Sequence, residues 1–143
     1  MKKCNEVMTN NPVCCLSSDL ATKAAELMKS NEIGSIPVID NESTKKLVGI
    51  VTDRDLTLKI LAGGLDAKSA KVDAVMTRKV ITCRADDDLQ KALAAMAEHQ
   101  LRRIPIVDDD NKIVGIIAQA DVATRVDQPQ KTAEMVKEIS QAN

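Results

Sequence analysis

At 143 residues the chain has the length of one domain, enough to bury a core without metal or disulfide staples, and it equally accommodates two half-domains. Its 20 basic and 21 acidic residues are interspersed for a net charge of −1, which leaves no basic footprint for nucleic acid or an anionic membrane, and no apolar run approaches the roughly 20 residues of a membrane span. Phe, Tyr and Trp are absent, so a ligand has to be held by aliphatic walls rather than by stacking on a ring.

Met1-Lys2-Lys3-Cys4 is followed by polar residues rather than an apolar signal-peptide core, and the expectation is a cytoplasmic protein. The four cysteines, Cys4, Cys14, Cys15 and Cys83, form no C-x-x-C pair, and His99 is the single histidine. No metal site and no required cofactor are expected; in a reducing compartment the thiols read as small core residues.

Val7-Met8-Thr9 leads into a strand-like run at 13–15. From Asp19 to about residue 31, Leu20, Ala24, Leu27 and Met28 recur at three- and four-residue spacing, which predicts an amphipathic helix with an acidic start. Ile36-Pro37-Val38-Ile39 predicts a short β-branched strand whose proline must lie at a strand start or a sheet edge. A polar turn at 41–46 then precedes a second, antiparallel strand at 47–51, which runs straight into a helix. Ala62-Gly63-Gly64-Leu65-Asp66 ends that helix, and residues 67–75 read as a connector with one helical turn.

The same order then returns. Val75-Met76-Thr77 repeats Val7-Met8-Thr9 at an offset of 68, as do Cys83 on Cys15, Met96 on Met28, Ile104-Pro105 on Ile36-Pro37 and Asp108 on Asp40. Beyond the turn the offset falls to 66, Gly49 to Gly115, a two-residue difference that a polar hairpin loop tolerates. The chain is therefore an internal duplication of a strand-helix-strand-strand-helix unit, an α/β (α+β) fold, with repeats at 5–63 and 75–127, a connector at 64–74 and a tail at 128–143. Pro129 can open an amphipathic helix in that tail. A single unit of about 55 residues has three strands and an incomplete core, so two are expected to pack face to face and share one.

Gly49-Ile50-Val51-Thr52-Asp53-Arg54-Asp55 and its near copy Gly115-Ile116-Ile117-Ala118-Gln119-Ala120-Asp121 each turn a buried strand into a helix start. Thr52 is placed to cap that helix, with Asp55 one turn on. Two readings stand side by side. Thr-x-x-Asp before an apolar run is a common capping pattern, and a helix start with unpaired N–H groups also suits an anion.

These three motifs, Val-Met-Thr, Ile-Pro-Val-Ile-Asp and Gly-Ile-Val-Thr-Asp-Arg-Asp, in this order and twice over, resemble a tandem pair of CBS domains, or Bateman module, across roughly residues 5–127. The stretches Leu61-Ala62-Gly63-Gly64-Leu65-Asp66 and His99-Gln100-Leu101-Arg102-Arg103-Ile104-Pro105 resemble in particular small stand-alone bacterial CBS-pair proteins linked to stress responses. The resemblance implies a regulatory, non-enzymatic fold with pseudo-twofold packing of the repeats, pairing into a homodimer, and two clefts between repeats for adenine nucleotides, S-adenosylmethionine or related ligands. It places Thr52, Arg54 and Asp55 in one cleft with Ile81, Thr82, Arg102, Arg103, Ile104 and Pro105. The other would join Asp121 to Val13, Cys14, Ser35, Ile36 and Pro37.

The residue chemistry suits those roles. An aspartate accepts two hydrogen bonds from a vicinal ribose diol, a threonine hydroxyl and helix N–H groups receive phosphate, and Arg54, Arg102 or Arg103 supplies positive charge. The second copy departs from the pattern, with Ala118 in place of the hydroxyl and Gln119-Ala120 in place of Asp53-Arg54. The expected function is a sensor of an AMP-, ADP- or ATP-like ligand that acts on a regulated protein. The alternatives are a ligand-free interaction or stress-response module, or binding of S-adenosylmethionine or NAD(H). An enzyme is disfavoured because His99 has no sequence-evident nucleophile partner.

Overall fold

The computed structural model describes residues 2–125. In chain order these form α1 (Cys4–Val7), β1 (Thr9–Asn10), β2 (Cys15–Leu16), α2 (Ala21–Asn31), β3 (Ser35–Ile39), β4 (Leu47–Thr52) and α3 (Asp53–Asp55), which continues as a π-helical turn, Leu56–Leu61. Then follow α4 (Val72–Val75), β5 (Cys83–Arg84), α5 (Leu89–His99), β6 (Arg103–Val107), β7 (Ile113–Ala118) and α6 (Gln119–Arg125). The expected strand-helix-strand-strand-helix order occurs twice, and the fold is α/β with two sheets. The expected tail helix lies outside the described residues.

Two compact units are present, and they are cut differently from the sequence repeats. One runs Val13–Val80; the other joins the residues up to Pro12 to those from Ile81 onward. The reason is the Val-Met-Thr segment. Thr77 and Ile50 exchange backbone hydrogen bonds of 2.8 and 2.9 Å, so the segment that opens the second repeat is bridged antiparallel to β4 of the first. In the other unit β1 pairs antiparallel with β7, Thr9 opposite Ile116 and Asn10 opposite Gly115. We call each of these segments a strap.

The Val13–Val80 unit has the sheet order β2-β3-β4, with β2 parallel to β3 across α2 and β3 antiparallel to β4. Its core holds Ala24, Met28, Ile36, Val38 and Val51, closed by Val72 at the start of α4 and by Val75 and Met76 of the strap. The other unit has the order β1-β7-β6-β5, and its core of Leu93, Met96, Ile104, Ile106 and Ile117 is closed by Cys4 and Val7. The strap thus supplies what a three-stranded unit lacks, and each unit has its own apolar cluster. Met28 and Met96, and Ile39 and Val107, are buried at equivalent positions.

Two local expectations are corrected. Pro37 lies inside β3, the central strand of its sheet, rather than at a strand start or sheet edge. Ile50, its partner on β4, turns its N–H and C=O to Thr77, so the Pro37 pair is one that needs no hydrogen bond. The missing N–H faces the β2 side, where β2 pairs only with Val38 and Ile39. Helix α2 begins at Ala21, not at Asp19. Asp19 precedes it and accepts the Leu16 N–H at 2.8 Å, as Asp87 accepts that of Arg84 at 2.8 Å. Both helices end on a non-glycine residue in the left-handed region, Glu32 (φ 54°) and Gln100 (φ 57°).

Candidate functional site

Strand β4 ends at Thr52 in extended geometry (φ −118°, ψ 162°), and the next residue is already helical. Thr52 Oγ1 accepts the Asp55 N–H at 3.0 Å, while Asp55 Oδ2 accepts the Thr52 N–H at 3.1 Å, a reciprocal capping box that satisfies two donors of the helix start. Asp55 is only 8% exposed, and a buried carboxylate is costly unless it is partnered. Both of its oxygens are partnered. The Thr77 hydroxyl donates to Oδ1 and Oδ2 at 3.2 and 3.3 Å, and Lys59 Nζ lies 3.1 Å from Oδ1. Lys59 also donates to the Val75 carbonyl at 2.8 Å, so the strap is tied to the turn twice.

The equivalent turn in the other unit is a weaker copy. Ala118 has no hydroxyl to offer; its N–H donates to Asp121 Oδ2 at 3.0 Å. The Thr9 hydroxyl reaches Asp121 at 3.4 and 3.5 Å, longer than the Thr77 contacts. Thr9 and Thr77 are related by the offset of 68, Asp121 and Asp55 by 66. Neither threonine had been given a role from sequence. The signal was the repeated Val-Met-Thr itself, whose third residue is a hydroxyl in both copies.

The expected site residues divide between the units. Val13, Cys14, Ser35, Ile36 and Pro37 belong to the same unit as Thr52, Arg54 and Asp55, where Ser35 stands opposite Thr52 across the hairpin. Ile81, Thr82, Arg102, Arg103, Ile104 and Pro105 share the other unit with Asp121, and there Arg103 stands opposite Ala118. Ile36 and Ile104 have no exposed surface and belong to the cores, whereas Val13, Cys14, Ile81 and Thr82 are half-buried. Arg54 and Arg102 are exposed and Arg103 is half-buried. Gly34 gives its carbonyl to the Asp53 N–H at 2.9 Å, and a Cβ on it would stand 3.0 Å from Asp53 Oδ2.

Burial pushes the Cys4 and Cys15 thiols up to about 12 and that of Cys14 up to about 11, and raises Cys83 as well. At neutral pH all four are protonated, which is the state of inert core cysteines rather than of nucleophiles. Among the described residues no group of three or more His, Cys, Asp and Glu side chains is placed to hold a metal ion. A recess of about 340 Å³ lies among Arg84, Asp86 and Asp108, and none of the expected ligand residues lines it. No helix of the described residues is long and apolar enough to cross a membrane.

The family model for the CBS domain matches residues 4–62 and 72–127. Hypoxic response protein 1 of Mycobacterium tuberculosis is 32% identical over 123 residues, covering 86% of this chain and 84% of its own length. Its crystal structure, with two coordinated zinc ions, aligns at a TM-score of 0.77 and 31% identity over 88% of this chain and 100% of that one. CBSX2 in complex with AMP aligns at 0.73 and 28% identity, over 96% and 99% of the two chains. A CBS domain pair in complex with 5′-methylthioadenosine and S-adenosyl-L-methionine aligns at 0.73 and 26%, over 87% and 94%. Inosine-5′-monophosphate dehydrogenase of Methanocaldococcus jannaschii is 35% identical over 130 residues, but the chain spans only 25% of that enzyme.

Proposed function

The chain belongs to the CBS-domain family as a tandem pair, a regulatory module, and from that premise we propose that it senses an adenine nucleotide through the turn at Thr52 and Asp55. The observation that carries the reading is the completeness of that turn: a hydroxyl, a carboxylate and helix N–H groups are held together by reciprocal hydrogen bonds, with Arg54 exposed beside them. A ribose diol calls for the carboxylate and a phosphate for a cation, the role open to Arg54, since the backbone N–H groups of the turn already donate to Asp55, Gly34, Asp53 and Thr52. Similarity to pairs solved with AMP and with S-adenosyl-L-methionine supports an adenosyl ligand as the class. In the same proposal the protein is a cytoplasmic homodimer without catalytic activity, and it passes its ligand state to a regulated protein.

Calorimetric titration with AMP, ADP, ATP, S-adenosylmethionine and NADH tests it. Saturable binding of at least one, lost on Asp55→Ala, is the expected result; heats that match dilution for all five would overturn it. A second reading, a module that works through protein contacts without a nucleotide, is favoured by one observation. Both oxygens of the Asp55 carboxylate already have partners within its own unit.

A further inference from the structure

That last observation bears on how a ligand would reach Asp55. We infer that Thr77 is an internal competitor for ligand hydroxyls at Asp55: its hydroxyl occupies the position in which a vicinal diol would be received, and it must turn away before the diol can bind. The inference rests on the adenosyl-ligand reading above and adds to it a residue outside the Thr-x-x-Asp motif.

A carboxylate offers about four acceptor sites. The Thr52 N–H takes one on Oδ2, and Lys59 takes one on Oδ1. The Thr77 hydroxyl straddles the two oxygens at 3.2 and 3.3 Å, sharing one proton between them. Good O–H···O bonds are about 2.7–2.8 Å, so this is a stretched, bifurcated contact. A ribose diol brings two donors at a spacing that matches the two oxygens, and it can replace one poor bond with two good ones.

Displacement requires little movement. Thr77 is an exposed residue, so its hydroxyl can turn to water. The strap itself stays in place, because the backbone pair between Thr77 and Ile50 and the burial of Val75 and Met76 do not involve that hydroxyl. Lys59 remains on the carboxylate and on the Val75 carbonyl.

The test is calorimetric titration of AMP and of 2′-deoxy-AMP into the wild-type protein, Thr77→Val and Thr77→Ser. Removing a weak bond to a charged acceptor should tighten AMP binding by about three- to tenfold in Thr77→Val, with Thr77→Ser at the wild-type value. 2′-Deoxy-AMP, which lacks the diol, should show little of that gain. Wild-type binding of AMP with no tightening in Thr77→Val overturns the inference and leaves the nucleotide reading standing, as does an equal gain for both nucleotides. Absence of binding to wild type and to folded Thr77→Val overturns both. Methyl NMR of wild-type protein provides a measurement independent of the variants' folding: AMP at saturation should change the χ1 rotamer of Thr77, and an unchanged rotamer overturns the inference.

Discussion

Gly49 lies beneath Met76: a Cβ on Gly49 would stand 2.7 Å from Met76 Sδ and 2.9 Å from the Thr77 carbonyl oxygen. Gly115 has the same relation to Met8, and a Cβ there would be 3.0 Å from the Thr9 carbonyl oxygen. These glycines are required by close approach rather than by backbone conformation, since a strap crosses each of them.

Gly49→Ala should therefore push the strap off β4 and cost about 1–3 kcal/mol, the range of overpacked cores. Gly115→Ala should do the same in the other unit. Chemical denaturation checks this, and the double variant Gly49→Ala/Met76→Ala should lose less than the sum of the two single variants, because the sulfur that the new methyl meets is gone. Full stability in Gly49→Ala would mean that the strap does not lie on β4.

Which features of this arrangement sequence could show follows from the duplication. The 68-then-66 offset shows which segments are alike, and from it the element order, the hairpins and the loop difference are legible. It does not show which alike segments touch. Val75-Met76-Thr77 is equally compatible with pairing to the strand of its own repeat or of the other, because both strands have the same glycine-led apolar pattern. The exchange of straps, and with it the role of Thr77, was for that reason hidden. The position of Pro37 was hidden for a related cause: the pairing that makes it harmless depends on Ile50 being turned toward Thr77. Thr52 and Asp55 were legible as a pair, but their partners Thr77 and Lys59 show how much of Asp55's capacity is already taken.

Asp55→Ala should lower stability more than Asp121→Ala. Asp55 accepts from Thr52, Thr77 and Lys59 and is buried, so its loss is expected to cost about 1–3 kcal/mol. Asp121 is half-buried, its turn has no hydroxyl cap, and its contacts to Thr9 are long, so the cost there should be nearer 0.5–1 kcal/mol, about the value of an ordinary hydrogen bond. Thermal denaturation of the two variants without added nucleotide decides the order. Equal losses would contradict it.

Glu32 and Gln100 both end a helix in the left-handed region without being glycine. Replacing either with glycine removes the Cβ penalty at a helix C-terminus and should stabilise by about 0.5–1 kcal/mol. The unfolded chain's extra freedom offsets part of the gain. The two changes lie in different units and should be close to additive in urea melts. A loss of stability in both would show that the side chains contribute more than the backbone conformation costs.

Alkaline pH should weaken the fold through its buried thiols. Desolvation is the largest cause holding Cys4 at about 12, with neighbouring Cys83, Asp87 and Asp88 adding to it, against an ordinary value of 9.0. Between those limits the unfolded chain loses its proton and the folded one keeps it, so the folded state binds more protons and stability falls as pH rises. The contribution is fully present below about pH 9 and is lost progressively from there toward 12. Lysines titrate in the same range, so the comparison that isolates the thiol is with Cys4→Val. Valine stands at the equivalent position of the other unit, Val72 at the start of α4, fully buried in its own core, so the substitution should fold. Melting temperatures of wild type and Cys4→Val measured from pH 7 to 10.5 should run parallel up to about pH 9 and diverge above it, with the wild type falling faster. Parallel curves throughout would mean that the Cys4 thiol titrates alike in the folded and unfolded chains, and that its environment in the folded core is wetter than its burial at the start of α1 indicates.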